Sequence, residues 1–421
     1  MNGAESLVRT LLAGNIDVCF TNPGTSEMHF VAALDSVPGM RCALCLFEGG
    51  VTGAADGYYR IAGKPASTLL HLGPGLANGV SNLHNAKKAN SGIVNIVGEH
   101  ATYHIELDAP LTSDIEGIAR PVSHWVKTST SSADIARHGA EAIVAAMSPP
   151  GQIATLILPG DTAWNEGTGP ADVPAPPERA KVEDARIDAA AKALREAKNP
   201  LILLGGAAVQ EANLQLAGKI AAKTGCGLLT EWANARLDRG AGRIEVNRIP
   251  FVIDQAVKLL EPYDTIRLVG ARPPVGFFAY PNKPSVLTRD DTTFVELADV
   301  AEDIAGALDA LCEATGAQKS EPAGISAHRK PDLPRGPVGP PGIAAILGAM
   351  IPEGAIIVDE SVTTGREFFP QTAGAPPHAW LNNRGGSIGY GLPVATGAAI
   401  AAPGQKVIAL EGDGSAMYTV Q

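Results

Sequence analysis

Cys42-Ala-Leu-Cys-Leu-Phe-Glu-Gly-Gly-Val-Thr-Gly-Ala-Ala-Asp-Gly-Tyr58 is an apolar run that stops on a glutamate and a glycine pair, then continues in small residues. A short apolar run bounded by glycine reads as a strand over 42–47, and the spacing beyond it predicts a helix over 49–61. The same grammar repeats on either side. Residues 5–14 have helical spacing; Ile16 to Phe20 reads as a strand running into Asn22-Pro-Gly-Thr-Ser-Glu27. Ala66 to His71 is a strand, Leu76 to Ala89 a helix, and Ile93 to Val97 a strand. Short apolar strands alternating with helices pair in parallel, so the fold class is α/β with doubly wound parallel sheets. Such sheets take ligands at the carboxyl ends of their strands. That nominates the loops Asn22 to Ser26, Glu48 to Gly50, Leu72 to Gly75 and Gly98 to His100.

The chain has 421 residues, room for about three domains of about 150 residues each. Residues 1–165 form the first unit, and the proline-rich stretch 166–185 reads as a linker. A second α/β unit spans 186–318, with helices over 185–197 and 211–224 and strands at 200–204, 227–230 and 265–269. A second linker, 319–341, carries six prolines between Pro322 and Pro341. The third unit, 342–421, has a helix to Met350, the strand 355–358, the loop 359–365, the glycine-rich run 384–393 and the strand 407–410. With only two clear strands before Gln421, this third unit reads as truncated.

With 45% apolar residues the chain can pack cores, and 47 glycines against 5% aromatics favour short glycine-punctuated connections. The net charge is −11 without a long basic run, which disfavours nucleic acid and anionic membrane surfaces and favours a small-molecule partner. Five cysteines are too few, and odd in number, for a disulfide framework. Cys42 and Cys45 read as two buried thiols in a strand. No basic-then-apolar leader opens the sequence and no apolar stretch of about 20 residues occurs, so a cytoplasmic protein is expected.

Three positions carry candidate chemistry. Glu48 places a carboxylate between a strand and two glycines, where a flat ligand can approach; a helix-entry glutamate beside the helix dipole is the plainer reading. The strand 407–410 runs into Gly412-Asp413-Gly414-Ser415, which sets a carboxylate between residues that admit phosphate oxygens, the natural place for Mg²⁺ on a diphosphate. An ordinary Asp-Gly turn competes with that reading. His71 ends a strand before Leu72-Gly-Pro-Gly75 and can shuttle a proton near neutral pH, against the alternative of a solvated loop histidine. His100, His104 and His124 have no ligand spacing and receive no role. Gly205-Gly206 lacks the full dinucleotide fingerprint.

In order along the chain, Asn22-Pro-Gly-Thr-Ser-Glu27, Phe47 to Tyr58, Gly73-Pro-Gly-Leu-Ala-Asn-Gly-Val-Ser-Asn-Leu-His84, Asp359-Glu-Ser361, Gly386-Ser-Ile-Gly-Tyr-Gly-Leu-Pro393 and Gly412-Asp-Gly-Ser415 resemble the thiamine diphosphate-dependent enzymes of the acetolactate synthase, benzoylformate decarboxylase and pyruvate decarboxylase group. The resemblance spans essentially the whole chain. It implies a pyrimidine-binding first domain, a Rossmann-like central domain and a diphosphate-binding third domain. By matched position, Glu48 is implied as the proton relay to the aminopyrimidine, with Pro23, Gly24 and Asn78 around the cofactor. Asp413 is implied as the Mg²⁺ ligand, with Gly412, Gly414, Ser415, Gly386, Ser387, Glu360 and Ser361 near the diphosphate and Ile388 as the wedge that bends the cofactor. His71 and Thr25 match the substrate-side histidine and hydroxyl.

The resemblance further implies decarboxylation or carboligation of a 2-keto acid, pyruvate leading, through an ylid and an enamine. It implies a homodimer or tetramer whose site lies across a subunit interface. Two departures stand out. Gly276-Phe-Phe-Ala-Tyr-Pro281 matches the segment that supplies a second histidine in benzoylformate decarboxylases, but Ala279 stands there, which turns the expectation toward acetolactate synthase-type chemistry. The family's metal motif also continues past Gly-Asp-Gly to an asparagine not found before Gln421, so weak cofactor binding is expected of this chain. FAD is not expected, for want of a fingerprint. A non-catalytic assembly or regulatory member of the same fold is the alternative reading, and a nucleotide-binding protein using Gly205-Gly206 a remoter one.

Overall fold

The computed structural model describes all 421 residues, which fall into two compact units. Unit 1 comprises Met1–Glu178, Val358–Glu360 and Asn383–Gln421; unit 2 comprises Arg179–Ile357 and Ser361–Asn382.

Unit 1 is built on six parallel strands: β1 (Val18–Asn22), β2 (Arg41–Leu44), β3 (Ala66–Leu70), β4 (Ile93–Glu99), β5 (Trp125–Thr128) and β6 (Ile153–Pro159). Their order is β2-β1-β3-β4-β6-β5. Successive side chains point to opposite faces of a sheet, and here both faces are packed. Cys19, Leu69, Val94, Ile96 and Leu156 join one apolar cluster with Leu7 and Leu11 of α1 (Gly3–Ala13) and Phe30 of α2 (Met28–Ser36). Phe20, Leu70, Ile93, Val97 and Ile157 join the other with Val51 and Ala55 of α3 (Glu48–Ala62) and Leu76 and Leu83 of α4 (Leu72–Lys88). Helices on both faces require strands apolar on both, which is why the sequence shows continuous apolar runs.

The strand order reverses at β1 and β3: from β1 the chain steps outward to β2, and from β3 it steps the other way to β4. A crevice opens at such a reversal because the two connecting segments leave on opposite faces. Here those segments carry Pro23 to Glu27 and His71.

Three local expectations are corrected. Cys42 and Cys45 are not a buried pair: β2 is the edge strand, Cys42 is exposed, and Cys45 lies beyond the strand and is half-buried. Leu72 to Gly75 is no loop but the first turn of α4. Leu72 takes a φ of +47° to turn the chain, and Pro74 is tolerated because the first turn's N–H groups have no intrahelical partner. Gly98 and Glu99 also stay in strand, as the last two residues of β4, paired with Leu158 and Pro159.

Unit 2 contains a parallel sheet of β7 (Pro200–Leu204), β8 (Gly227–Thr230), β10 (Asn247–Arg248), β11 (Thr265–Val269) and β12 (Thr293–Ala298), in the order β10-β8-β7-β11-β12. Leu201, Leu203, Leu229, Ile266 and Leu268 pack there against Ile253, Ala256 and Leu260 of the helix Ile253–Leu260. Between β8 and β10 lies β9 (Leu237–Arg239). The chain continues through β13 (Ala355–Glu360), divided between the units, to β14 (His378–Asn382), which runs antiparallel to β9. Asp359 and Glu360 thus belong to a strand, where a loop was expected. The last strand, β15 (Val407–Glu411), lies in unit 1.

In unit 1 the helix Gly391–Ala401 packs directly on α3. A Cβ at Gly57 would stand 2.0 Å from Val394 O, and one at Gly397 would stand 1.8 Å from Ala54 O. The two helices therefore meet at backbone distance, which only glycine permits at these two positions.

Candidate active site

The reversal of strand order in unit 1 brings together two of the expected segments. After β1 the chain makes a single 3-10 turn, Thr25–Glu27, and the Glu27 carboxylate folds back so that Oε2 accepts the Gly24 N–H at 2.7 Å. The same oxygen lies 2.7 Å from His71 Nδ1. With a carboxylate accepting, Nδ1 carries the hydrogen. The Glu27 side chain is fully buried while that of His71 is a quarter exposed, and Glu27 Oε1 is buried without a partner. A Cβ at Gly98 would stand 1.6 Å from that oxygen, so the glycine at the end of β4 makes room for the carboxylate. Pro23, Gly24, Thr25 and His71 are thereby assembled into one corner.

Glu48 is the first residue of α3 and is buried, 8% exposed. Its Oε2 accepts from Asn78 Nδ2 at 3.0 Å. A Cβ at Gly75 would stand 3.1 Å from Glu48 Oε1 and 3.3 Å from His71 Cβ. Gly75 of α4 thus lies against both the Glu48 carboxylate and the Cβ of His71.

The same helix holds the second glycine-rich loop. Asn85 Oδ1 accepts the Ser387 N–H at 3.1 Å and its Nδ2 donates to Ser387 O at 2.8 Å. Asn82 Nδ2 donates both to Gly389 O at 3.1 Å and to Gly49 O at 2.8 Å, tying the loop to the start of α3. From the other side Glu360 accepts the N–H groups of Gly389, Tyr390 and Gly391 at 3.1, 3.0 and 2.7 Å. Gly386 and Gly389 adopt φ of +80° and +86°, and between them Ile388 remains 42% exposed. Burial, followed by the charge of Glu360, pushes Glu411 up to about 8, and burial also raises Glu360.

Beyond β15, Gly412 N–H donates to Glu360 O at 3.3 Å. Asp413 opens a four-residue helical turn and is exposed, as is Gly414, whereas Ser415 is buried. Ser361 belongs to unit 2, where its hydroxyl lies against Gly365. The histidine-free position Ala279 is likewise in unit 2.

The residues present fit thiamine diphosphate and Mg²⁺. A buried carboxylate held by one amide suits a polar ring edge. Asp413 offers one oxygen ligand group, and no cluster of three acidic, histidine or cysteine side chains accompanies it. Mg²⁺ commonly takes just one or two carboxylates and completes its shell with phosphate oxygens and water.

Glu27, Asn82 and Asn85 were not singled out from the sequence. For Glu27 a signal existed: it stands three residues after Gly24, the spacing of a capping box. For the two asparagines none did, because their partners lie about three hundred residues away.

Residues 1–120 match the model of the thiamine pyrophosphate enzyme N-terminal TPP binding domain, and residues 365–421 that of the C-terminal TPP binding domain. The chain is 48% identical over 422 residues to the Mycobacterium tuberculosis protein named "Putative acetolactate synthase large subunit IlvX", covering all of this chain and 80% of that one. It is 29% identical to benzoylformate decarboxylase of Pseudomonas aeruginosa, covering 95% of this chain and 79% of the relative. A thiamine diphosphate-dependent 4-hydroxybenzoylformate decarboxylase from Rhodococcus jostii has the same fold, with a TM-score of 0.85 at 24% identity, covering 100% of this chain and 82% of that one. The α/β fold and the two matched thiamine pyrophosphate domains define a class, and the chain belongs to it: it is a member of the thiamine pyrophosphate enzyme family. Within that family its relatives include proteins named as acetolactate synthases and as decarboxylases. No helix is long and apolar enough to cross a membrane.

Proposed function

We propose that the chain works as a thiamine diphosphate- and Mg²⁺-dependent enzyme that decarboxylates or joins 2-keto acids, acetolactate synthase-like, with pyruvate the smallest candidate substrate and the first to assay. The observation that carries this reading is the convergence of Glu48, held by Asn78, and His71, held by Glu27, on Gly75. When bound, thiamine diphosphate supplies the carbanion and the electron sink for loss of CO₂. Glu48 accepts and returns the proton of the aminopyrimidine edge. His71, fixed by Glu27, orients the 2-keto acid carboxylate together with the Thr25 hydroxyl and moves a proton at Nε2. Asp413 would hold Mg²⁺, Gly386, Ser387, Gly412, Gly414 and Ser415 would admit the diphosphate, and Ile388 would offer the cofactor an apolar contact.

Our reading keeps the domain division proposed from the sequence, 1–165, 186–318 and 342–421. The working assembly is a homodimer or tetramer. What supports this is the edge strand β2 and its continuation, where Leu44 and Leu46 are 69% and 73% exposed; an unpaired apolar edge normally finds a covering partner.

Glu48→Gln tests the reading. Exchange of the cofactor's C2 proton, followed by NMR, should fall by roughly 100-fold or more, with cofactor affinity from circular dichroism little changed. Unchanged exchange would overturn the assignment of Glu48 and of the reaction class.

A further inference from the structure

In unit 2, β11 carries one charged side chain into the packed interior. Arg267 is 0% exposed, and its neighbours in register are Ile202 of β7 and Val295 of β12. Its Nε donates to Ala190 O at a long 3.4 Å. Nη1 and Nη2 are both buried and have no hydrogen-bond partner. We infer that these two nitrogens hold one small monovalent anion, of chloride size, in the core of unit 2. The inference is independent of the reaction proposed above.

The charge cannot be shed. A guanidinium stays protonated in proteins; burial lowers the pKa of Arg267 to about 10, which leaves it cationic at neutral pH. A charge taken out of water is costly unless it is paired and its donors are satisfied, so the interior must either supply a counter-charge or take one up.

No side chain supplies it. Ile266 and Leu268 pack with the helix Ile253–Leu260, so Arg267, between them, points to the opposite face of the sheet. There the helix Asp184–Glu196 buries only Ile187, Ala190, Ala191 and Leu194. The helix Ile304–Ala314, packed beside it, likewise buries no charged residue. Every acidic residue of those two helices is exposed. Two groups bear on the guanidinium electrostatically, Cys226 and Asp264. Cys226 is a neutral thiol whose pKa burial raises. The Asp264 carboxylate accepts the backbone N–H groups of Lys198 and Asn199 at 3.0 and 3.4 Å and forms no ion pair with Arg267.

The donors define the ligand. Nη1 and Nη2 lie in one plane and converge on a single acceptor or a pair of acceptors, while the apolar surroundings offer nothing to balance a second negative charge. Water would satisfy the donors and leave the charge unpaired. One small anion does both, in little more than the space of one water, about 30 Å³.

The test uses the full chain at constant ionic strength, with chloride exchanged for gluconate, which is too large for the site. Crystals grown with bromide in place of chloride should show its anomalous signal within hydrogen-bond distance of Nη1 and Nη2. In solution, amide hydrogen exchange of β11 reports the opening that would release the ion. Above saturation, each ten-fold rise in chloride should slow that exchange about ten-fold, while the amides of β4 in unit 1 stay unaffected. Arg267→Leu should abolish the chloride dependence and protect β11 at least as well as the parent does in gluconate, since an apolar side chain in place of a buried charge is often neutral or stabilising. Exchange in β11 indifferent to chloride, or no bromide at Arg267, means that water alone solvates the guanidinium and overturns the inference. An equal chloride effect on β4 and β11 marks a general salt effect and overturns it too. If Arg267→Leu does not fold, the contrast between β11 and β4 in the parent decides.

Discussion

Glu27 Oε2 lies 2.7 Å from His71 Nδ1 and at the same time accepts the Gly24 N–H at 2.7 Å. One buried carboxylate thus fixes both a histidine after β3 and the turn after β1 that carries Thr25. Glu27→Gln keeps the shape but removes the charge that holds both donors. Turnover of the 2-keto acid should fall by about 10²-fold. A merely structural role for Glu27 would lower stability and leave kcat in place, so kcat and thermal melting are measured together.

Gly75 separates Glu48 from His71, with a Cβ reaching 3.1 Å from Glu48 Oε1. In the first turn of α4, alanine is intrinsically favoured over glycine by up to about 1 kcal/mol. Gly75→Ala should therefore leave unfolding stability equal or slightly higher while C2-proton exchange falls by about ten-fold. Urea unfolding and NMR exchange give the two numbers, and exchange at the original rate would show that the space at Gly75 is not used.

Gly57 faces Val394 O at 2.0 Å from its would-be Cβ. Gly57→Ala has no flexible side chain to displace, only the backbone of the helix Gly391–Ala401, so the two helices must separate. Overpacking of this kind costs about 3 kcal/mol. A urea midpoint within error of the parent's would contradict the close packing of these helices.

His378 lies in unit 2 with Nδ1 2.7 Å from Pro376 O. Burial, with Arg239 adding, lowers its pKa to about 4 from 6.5. The folded value lies below the unfolded one, so on acidification the unfolded chain takes up the proton first. Its contribution to stability is intact above the unfolded pKa and is lost as pH falls from there toward about 4. Between about pH 7 and pH 5 the loss should be about 2 kcal/mol. Denaturant titrations at both values check this, and His378→Gln should flatten the difference.

Much of this molecule is legible in residue order. The strand 200–204 and the helix 211–224 are found where their apolar patterns place them, because both depend on local period and on glycine or proline at their ends. The placements of Glu48 and Asp413 at the first positions of helical segments beside glycines agree with the sequence pattern. Misreadings fell where composition has two meanings. Leu72-Gly-Pro-Gly75 has the residues of a turn, yet a helix's first turn accepts the same residues. Cys42 to Phe47 is apolar enough for an interior strand, but position in the sheet, not composition, makes β2 an edge.

The sequence by itself determined the family, the parallel alternation and the acids at the strand ends, because those are properties of short segments. Only the tertiary structure decided that Glu27 grips His71 across forty-four residues, that Asn82 and Asn85 carry a loop three hundred residues further on, and that His100 and His104, which lack ligand spacing, line one cavity. Strand order sets these neighbours, since it places the ends of β1, β3 and β4 side by side, and strand order follows from how two apolar faces are buried at once rather than from any single stretch of chain.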